Sequence, residues 1–283
     1  MRTEAKSFAA GTVVNALATL KGVAFGIKLE TRVVFREEND LKGFYVLQDG
    51  RMERSAIAEK LMRNSGVEGG VFEVESEIPR RSGLGSSSAF MNAMVMAAMK
   101  AMEMPLNAEK ILRINARISL ESGMSYTGAF DDASASLLGG LVFSDNSRMR
   151  LYRRDELEGE AVILLPEWER GEVNLREIRR GREEVDRAFR LAMRGELKAA
   201  MYLNSMHYCT KLNLPLEPVT AVQHLDVNAG LSGNGPSYVA FGREVEEVVR
   251  VWESFGRVIV REIASEPAEE VEVPDSLFTY FEV

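Results

Sequence analysis

The sequence predicts an α+β fold built in two parts, and three observations point to it. In the first half, an alternating apolar run at 71–78 leads through a glycine- and serine-rich loop into a helix-forming run at 89–102. The second half has the order strand, helices, two strands, helix and strand, which is close to a ferredoxin-like split βαβ unit. A polar, arginine-rich stretch at 144–160 separates them. We therefore expect one domain over 1–150 and another over 151–283.

The elements of the first half follow from periodicity and composition. Alternation places Phe72, Val74 and Ile78 on one side of a strand, opposite three glutamates, which predicts a half-buried strand. The later Met- and Ala-rich run has no glycine, proline or charge before Lys100, which favours a buried helix. The small-residue segment that starts at Gly123 is predicted to be flexible. The predicted elements are strands at 25–36, 71–78 and 141–143, and helices at 55–64, 89–102 and 108–122.

The second half shows a regular succession of apolar patterns. Gly195 divides a long, mostly helical region into two helices. The segment "SGNGPS" lies between two apolar runs, which predicts a loop between two strands. The predicted elements are a strand at 161–165, the helical region at 173–212, strands at 225–231 and 238–241, a helix at 245–255, and a strand at 258–263.

Composition excludes several classes of function. The chain has 283 residues and a net charge of −8, which argues against a surface that binds nucleic acid. One cysteine, Cys209, rules out an internal disulfide framework, and two histidines are too few for a histidine-rich metal site. The first residues lack the apolar core of a signal peptide, and no run of about 18 apolar residues indicates a membrane span. We expect a cytoplasmic protein without a nucleic-acid or membrane partner.

The loop between the strand and the buried helix has the composition of an anion site. It reads "SGLGSSSA", so unpaired backbone N–H groups and serine hydroxyls meet at a helix N-terminus, where the helix dipole favours negative charge. A phosphate is the usual occupant of such a place. The simpler alternative is that Ser86–Ser88 only cap their own helix.

Three glycine-rich stretches suggest one shared phosphate pocket. They are Ser82–Ser88, Thr127–Asp132 and Ser232–Ser237, and each adjoins a predicted strand or helix. The Walker pattern is absent, as are the dinucleotide-binding G-x-G-x-x-G after the first strand and the hydrolase G-x-S-x-G. A P-loop protein, a Rossmann enzyme and an α/β-hydrolase are therefore not supported.

The same stretches carry a resemblance to a known superfamily. "PRRSGLGSSSA" (79–89) resembles the ATP-phosphate loop of the GHMP kinases, and "GLSGNGPS" (230–237) resembles their C-terminal glycine-rich motif. "ESGMSYTGAFDDASASLLGG" (121–140) is similar to the segment that carries their metal-binding glutamate and catalytic aspartate. The resemblance implies a two-domain GHMP kinase fold, with an N-terminal domain like ribosomal protein S5 domain 2 and a ferredoxin-like C-terminal domain.

One branch of that superfamily fits best. "AAGTVVNALATLKGVAFGI" (9–27) resembles the N-terminus of the archaeal-type shikimate kinases, whereas other branches usually carry Pro-Gly-Lys in this region. The resemblance implies ATP-dependent phosphorylation of shikimate with Mg²⁺. Two alternatives remain: another kinase of the superfamily, acting on homoserine or mevalonate, and a nucleotide-binding sensor without catalysis. A protein that only binds nucleotide has no use for buried like charges such as those of Glu121, Asp131 and Asp132, which argues against the sensor.

The resemblance also implies roles for individual residues. Asp132 or Asp131 would take the proton from the acceptor hydroxyl; spacing to Glu121 and Gly139 favours Asp132, while the distance after Gly128 allows Asp131. Lys6 would pair with that aspartate, Ser87 and Glu121 would bind Mg²⁺, and Asn15 would contact the substrate. The ATP-binding residues would be Pro79, Arg80, Arg81, Ser82, Gly83, Leu84, Gly85, Ser86, Ser87, Ser88, Ala89, Gly233, Asn234 and Gly235.

Overall fold

The computed structural model describes residues 1–281, within which eleven β-strands form one connected sheet accompanied by nine α-helices. The strands are β1 (Arg2–Val14), β2 (Lys21–Glu37), β3 (Gly43–Gln48), β4 (Arg51–Arg54), β5 (Gly69–Ser76), β6 (Leu141–Asp145), β7 (Arg150–Asp155), β8 (Glu160–Pro166), β9 (Val227–Leu231), β10 (Tyr238–Gly242) and β11 (Gly256–Ala264). The helices are α1 (Ala56–Met62), α2 (Ser86–Ala101), α3 (Ala108–Glu121), α4 (Phe130–Leu138), α5 (Leu175–Ile178), α6 (Arg182–Met193), α7 (Leu197–Leu212), α8 (Glu217–Thr220) and α9 (Val245–Trp252). In this part of the chain no helix has the length and apolar character needed to cross a bilayer.

The long strand β2 joins the two halves of the sheet. It forms an antiparallel hairpin with β1, and it also pairs with β5, β6 and β11. The sheet order runs β4-β3-β5-β2-β11-β8-β10-β9, so β11 lies between β2 and β8. A strand from late in the chain thus sits beside one from its beginning. The division of the chain near residue 150 stays a prediction.

The apolar core lies in two clusters: one is formed almost entirely by the first half, and the other joins the second half to residues of β1 and β2 such as Val13 and Phe25. Helix α2 is buried over nearly its whole length, including Met91, Met94, Met96 and Met99, which confirms the predicted buried helix. In the other cluster Tyr208, Phe189 and Trp252 are fully or almost fully buried. Each Å² of apolar surface removed from water stabilises the fold by about 25 cal/mol, so these clusters are the main source of its stability. They hold the sheet and helices from which the loops of the site emerge.

The predicted flexibility after Gly123 is wrong for residues 130–138, which form helix α4. The reason is packing, because small side chains let this helix lie directly against β1 and β2. The Oγ of Ser136 donates to the carbonyl of Phe8, and a Cβ on Gly26 would lie 3.0 Å from the carbonyl oxygen of Ala135. Tertiary contact therefore overrides the loop-like composition.

Other differences from the sequence-based elements concern their limits, the polar strands, and strand β1, which no predicted strand covers. Helix α2 begins at Ser86, three positions before the predicted start at Ala89. Strands β3, β4 and β7 were not predicted, because they carry charged and half-exposed side chains without a clear alternation. The helical pair divided at Gly195 is confirmed as α6 and α7.

Candidate active site

The glycine-rich stretches meet around one cavity of about 250 Å³. The glycine- and serine-rich loop at 79–85, called the phosphate loop below, forms one wall together with the start of α2. The start of α4, with its two aspartates, forms another wall. Gly233 and Asn234 close it from the second half of the chain, beside Thr12 and Asn15 of the β1–β2 hairpin. Residues that are up to 222 positions apart in the sequence (12 to 234) therefore line one cavity.

The phosphate loop presents backbone donors to this cavity. Gly85 is the N-cap of α2, has a left-handed backbone (φ +66°), and supplies no side-chain capping bond. The backbone N–H groups and hydroxyls of Ser86–Ser88 have no hydrogen-bond partner within residues 1–281. The structure therefore contradicts the simpler alternative that these serines cap their own helix. A helix N-terminus with open N–H groups is suited to bind phosphate oxygens.

The second glycine-rich motif docks directly on the phosphate loop. The backbone N–H of Ser237 donates to the carbonyl of Ser82 (3.1 Å), and the Oγ of Ser232 donates to the carbonyl of Gly83 (2.9 Å). A Cβ on Gly83 would overlap the carbonyl oxygen of Ser232, so the two backbones approach as closely as glycine alone permits. Gly235 forms the turn behind this contact and does not line the cavity.

The β1–β2 hairpin is held against the same motif. The Nδ2 of Asn15 donates to the carbonyl of Gly233 (2.8 Å) and to the Oδ1 of Asn234 (2.9 Å). The hydroxyl of the buried Tyr208 donates to the carbonyl of Asn15 and accepts from the N–H of Ala18, both at 2.9 Å. Asn15, predicted as a substrate contact, thus lines the cavity with its amide already engaged by the protein.

The two aspartates lie in the first turn of α4 but have different surroundings. Asp131 is buried, and its Oδ1 accepts a hydrogen bond from the Nδ2 of Asn146 (2.9 Å). Asp132 lines the cavity, and its Oδ1 has no hydrogen-bond partner within residues 1–281. A Cβ on Gly85 would lie 3.6 Å from the Cβ of Asp132, so this aspartate sits beside the phosphate loop. Of the two carboxylates, Asp132 is the one placed to act on a ligand.

Burial and mutual repulsion control the charge of this pair. Burial raises the pKa of the Asp131 carboxyl, while the hydrogen bond from Asn146 opposes that rise. Burial raises the pKa of Asp132 well above its usual range, and the neighbouring charge of Asp131 raises it further. The positive end of the α4 dipole lies at both groups and favours their charged forms. A carboxylate with a raised pKa is a stronger base than a solvated one.

Lys6 does not pair with either aspartate, so that prediction is wrong. Its ammonium group binds Glu30 at 3.0 Å, and both side chains are about one-third exposed. The alternation of strand β1 explains the difference, because Ala5 and Ser7 face the buried side and Lys6 faces the other. The spacing of motifs along the sequence does not show on which face of the strand Lys6 lies.

Glu121 does not reach the cavity either. Its carboxylate is 59% exposed and pairs with Lys60 on α1. Ser119 lines the cavity instead, and residues two apart on a helix point about 200° from one another. The structure thus contradicts the prediction that Glu121 helps to hold a metal at this site.

Glu121→Gln is accordingly expected to leave the Mg²⁺ requirement unchanged. An exposed ion pair contributes at most about 1 kcal/mol, so stability should also change little. Titrating activity against Mg²⁺ checks this, with Glu103→Gln as a second exposed glutamate for comparison. A raised Mg²⁺ requirement in Glu121→Gln alone would restore Glu121 to the site.

Several predicted ATP-binding residues shape the loop without lining this cavity. Leu84 and Ala89 are buried in the core, and the Oγ of Ser82 donates to the carbonyl of Pro79 (2.7 Å). Arg80 binds Asp49 at the surface and lines a neighbouring cavity.

The neighbouring cavity opens on the other side of the phosphate loop and measures about 580 Å³. It shares Arg81, Ser86, Ser87 and Met124 with the first cavity, so the two spaces meet at the start of α2. Its walls combine apolar side chains with hydroxyl, amide and charged groups, among them Asp49, Arg80 and Arg81. They include Thr31, Gln48, Val74, Ser76, Ile78 and Phe90.

Some lining residues were not predicted from the sequence. Thr12 accepts the N–H of Gly233 on its Oγ1 (2.8 Å), and Asn146 orients Asp131. Arg170 reaches the first cavity from the segment that follows β8. Asn146 and Arg170 lie in polar stretches where many similar side chains are solvated, so no pattern distinguishes them.

Comparison with known proteins finds relatives over nearly the whole chain. Residues 52–140 match the family model "GHMP kinases N terminal domain". The shikimate kinase of Archaeoglobus fulgidus is 51% identical over 276 residues, which cover 97% of each chain. The shikimate kinase of Pyrococcus furiosus is 40% identical, over 92% of this chain and 98% of its own. That of Methanocella arvoryzae is 37% identical, over 95% and 96%.

Solved structures share the fold at much lower identity. Methanococcus jannaschii mevalonate kinase has a TM-score of 0.68 and 14% identity, over 94% of this chain and 98% of its own. Homoserine kinase from Cytophaga hutchinsonii has a TM-score of 0.67 and 19% identity, over 94% and 96%. These similarities confirm the predicted fold class and leave the choice of substrate to other observations.

Proposed function

This chain belongs to the shikimate kinase family of archaeal type within the GHMP kinases, and we propose that it transfers the γ-phosphoryl group of ATP to the 3-hydroxyl of shikimate. The observation that carries the proposal is the position of Asp132. Its carboxylate lines the cavity, and another wall of the same cavity is the start of α2 with its open, phosphate-binding N–H groups. An acceptor hydroxyl between these walls would meet both a base and a phosphoryl donor.

The chain's own groups account for the positioning that phosphoryl transfer needs. The N–H groups of Ser86–Ser88 bind phosphate oxygens at the start of α2, and Arg81 adds positive charge beside them. Asp132 accepts the proton of the attacking hydroxyl, and its raised pKa suits it to that transfer. Asp131 stays bound to Asn146 and orients the first turn of α4. Gly233 and Asn234 complete the lining of the cavity from the second half of the chain.

The base and sugar of ATP are proposed to occupy the larger neighbouring cavity. Its apolar side chains offer contacts to a flat heteroaromatic ring, and the phosphates would then cross the shared start of α2 into the first cavity. Phe90 and Val74 offer apolar contacts there, while Gln48 and Thr31 offer hydrogen bonds.

Mg²⁺ fits the donor groups that remain. Residues 1–281 contain no cluster of three acidic, histidine or cysteine side chains suited to a metal. Mg²⁺ in kinases is commonly held by one or two protein oxygens together with substrate phosphates, so a full protein cage is unnecessary. The Ser87 hydroxyl, which lacks a protein partner, is the group we assign to it. When bound, the ion would neutralise charge on the phosphates.

The test is ADP release with shikimate, homoserine and mevalonate at equal concentration. We expect turnover with shikimate and little with the other two. Turnover with homoserine or mevalonate instead would assign another activity of the superfamily. ATP binding without turnover of any acceptor would support a nucleotide sensor.

Ser87→Ala is expected to raise the Mg²⁺ concentration needed for half-maximal activity and to lower kcat. Its stability should change by less than about 0.5 kcal/mol, because this hydroxyl makes no capping bond. Activity against Mg²⁺ concentration, with thermal unfolding alongside, measures both effects. Ser86→Ala is the matched comparison. An equal loss in both variants would assign the effect to the loop as a whole, not to Ser87.

A further inference from the structure

The first cavity contains two carboxylates and two guanidinium groups. The carboxylates are Asp131 and Asp132, and the cations are Arg81 and Arg170. Arg81 belongs to the phosphate loop and lines both cavities, which places it on the nucleotide side. Arg170 lines only the first cavity and comes from the other half of the chain. Arg170 is therefore a second positive group in the cavity, in addition to Arg81, which we assign to the phosphates.

The segment around Arg170 is fixed on both sides. Trp168 packs edge-on against Tyr238 with ring centroids 6.4 Å apart. The backbone N–H of Gly171 donates to the carbonyl of Leu212 (2.7 Å). A Cβ on Gly171 would lie 2.9 Å from that same oxygen, so the contact is tight. The backbone of Arg170 is thus held between the contacts of Trp168 and Gly171, which are three residues apart.

The guanidinium of Arg170 has no ion-pair partner in the described chain. Arg80, beside the cavity, is paired with Asp49, whereas Arg81 has no ion-pair partner in residues 1–281 either and lies on the nucleotide side. An unpaired guanidinium with fixed backbone is available to bind an anion with little reorganisation. Its planar fork matches a carboxylate in particular, through two parallel hydrogen bonds.

We propose that Arg170 binds the carboxylate of the acceptor and thereby sets its orientation in the cavity. This inference rests on the proposed function, because shikimate carries one carboxylate and its hydroxyls lie on the other carbons of the ring. With the carboxylate at Arg170, the ring extends toward α4 and a hydroxyl is delivered to Asp132. Arg170 is then a specificity-determining residue: it selects acceptors that carry an anionic group at a set distance from the reacting hydroxyl.

The experiment compares shikimate with its methyl ester, which keeps the ring and hydroxyls but lacks the charge. Wild type should prefer shikimate in kcat/KM by about 10- to 100-fold, the usual size of a charge-assisted pair. Arg170→Met should lose that preference, with a raised KM for shikimate and an unchanged KM for ATP. Arg170→Lys keeps the positive charge but lacks the planar guanidinium, so its preference for shikimate over the ester should lie between those of wild type and Arg170→Met. Arg176→Met, an exposed arginine on α5, is the control and should behave as wild type.

Direct binding of shikimate by calorimetry gives a readout that does not depend on turnover, and circular dichroism checks that each variant is folded. If wild type phosphorylates shikimate and folded Arg170→Met keeps the full preference over the ester, this inference fails while the proposed function stands. If Arg81→Met loses the preference and Arg170→Met does not, the carboxylate belongs to Arg81 and the inference fails as well. If wild type does not phosphorylate shikimate at all, the proposed function fails first.

Discussion

Asp132→Asn is expected to lower kcat by about 100-fold or more while ATP binding is retained. The substitution is nearly isosteric and removes the proposed base, whereas the phosphates are proposed to bind at the start of α2. The loss should appear in both kcat and kcat/KM, because the proton transfer occurs in the transition state. Steady-state kinetics and nucleotide binding by calorimetry measure the two parts.

Asp131→Asn is the matched control for this prediction. Asp131 is engaged by Asn146, so its loss should lower kcat far less. It also removes the repulsion that helps to raise the pKa of Asp132, so the acid limb of the kcat–pH profile should move to lower pH. A large loss in Asp131→Asn with a nearly active Asp132→Asn would exchange the two roles. If neither variant loses tenfold, catalysis proceeds by positioning alone.

The same pair predicts how stability depends on pH. Because the folded-state pKa of Asp132 is raised, the folded protein holds that proton to higher pH than the unfolded chain, and stability falls as pH rises through this window. Asp132→Asn lacks this loss. Relative to wild type, its free energy of unfolding should be higher by the full amount above the raised pKa of Asp132. The difference should shrink as pH falls and vanish below about pH 4, where Asp132 is protonated in the folded and the unfolded chain. Thermal unfolding of both proteins at several pH values tests the sign.

Gly83→Ala is expected to lower the free energy of unfolding by about 3 kcal/mol or more and to reduce kcat/KM for ATP by about 100-fold. The new Cβ would overlap the carbonyl oxygen of Ser232 and lie 3.0 Å from the backbone nitrogen of Gly235. The φ of +87° adds strain for any residue with a side chain. The phosphate loop and the second glycine motif would have to separate, which displaces the phosphate-binding N–H groups.

Gly195→Ala separates these two causes. Its φ of +84° is nearly the same, but no atom lies within 4 Å of the new Cβ. We expect it to cost about 1 kcal/mol with unchanged activity. Denaturant unfolding and ATP kinetics of both variants give the difference that belongs to the contact. Equal effects would show that backbone strain alone matters at Gly83.

The sequence predicted the parts of the site whose chemistry is local. A strand, a run of glycine and serine, and a helix are enough to identify a phosphate loop, because the backbone itself supplies the donors. The two aspartates were found for a related reason, since charged residues within a small, apolar segment are conspicuous. Helix α4 that carries them was missed, because its Ala and Ser side chains have no helical periodicity to detect and are ordered by contact with β1 and β2.

The failures at Lys6 and Glu121 have a different physical origin. Both depend on which way a side chain points, and a rotation of one strand position or two helix positions moves it out of the cavity. Arg170 was missed for the opposite reason: it belongs to an ordinary polar stretch and is brought to the site by anchors that lie far away in the sequence. Distances between segments, not the segments themselves, determine these contacts.

The contact between Gly83 and Ser232 has a consequence for the newly synthesised protein. While a ribosome is still making the second half, the phosphate loop lacks the backbone that braces it, and strand β2 lacks its β11 neighbour. Residues up to 264 must therefore have left the ribosome before the sheet and the loop that it supports can take up the folded arrangement described above.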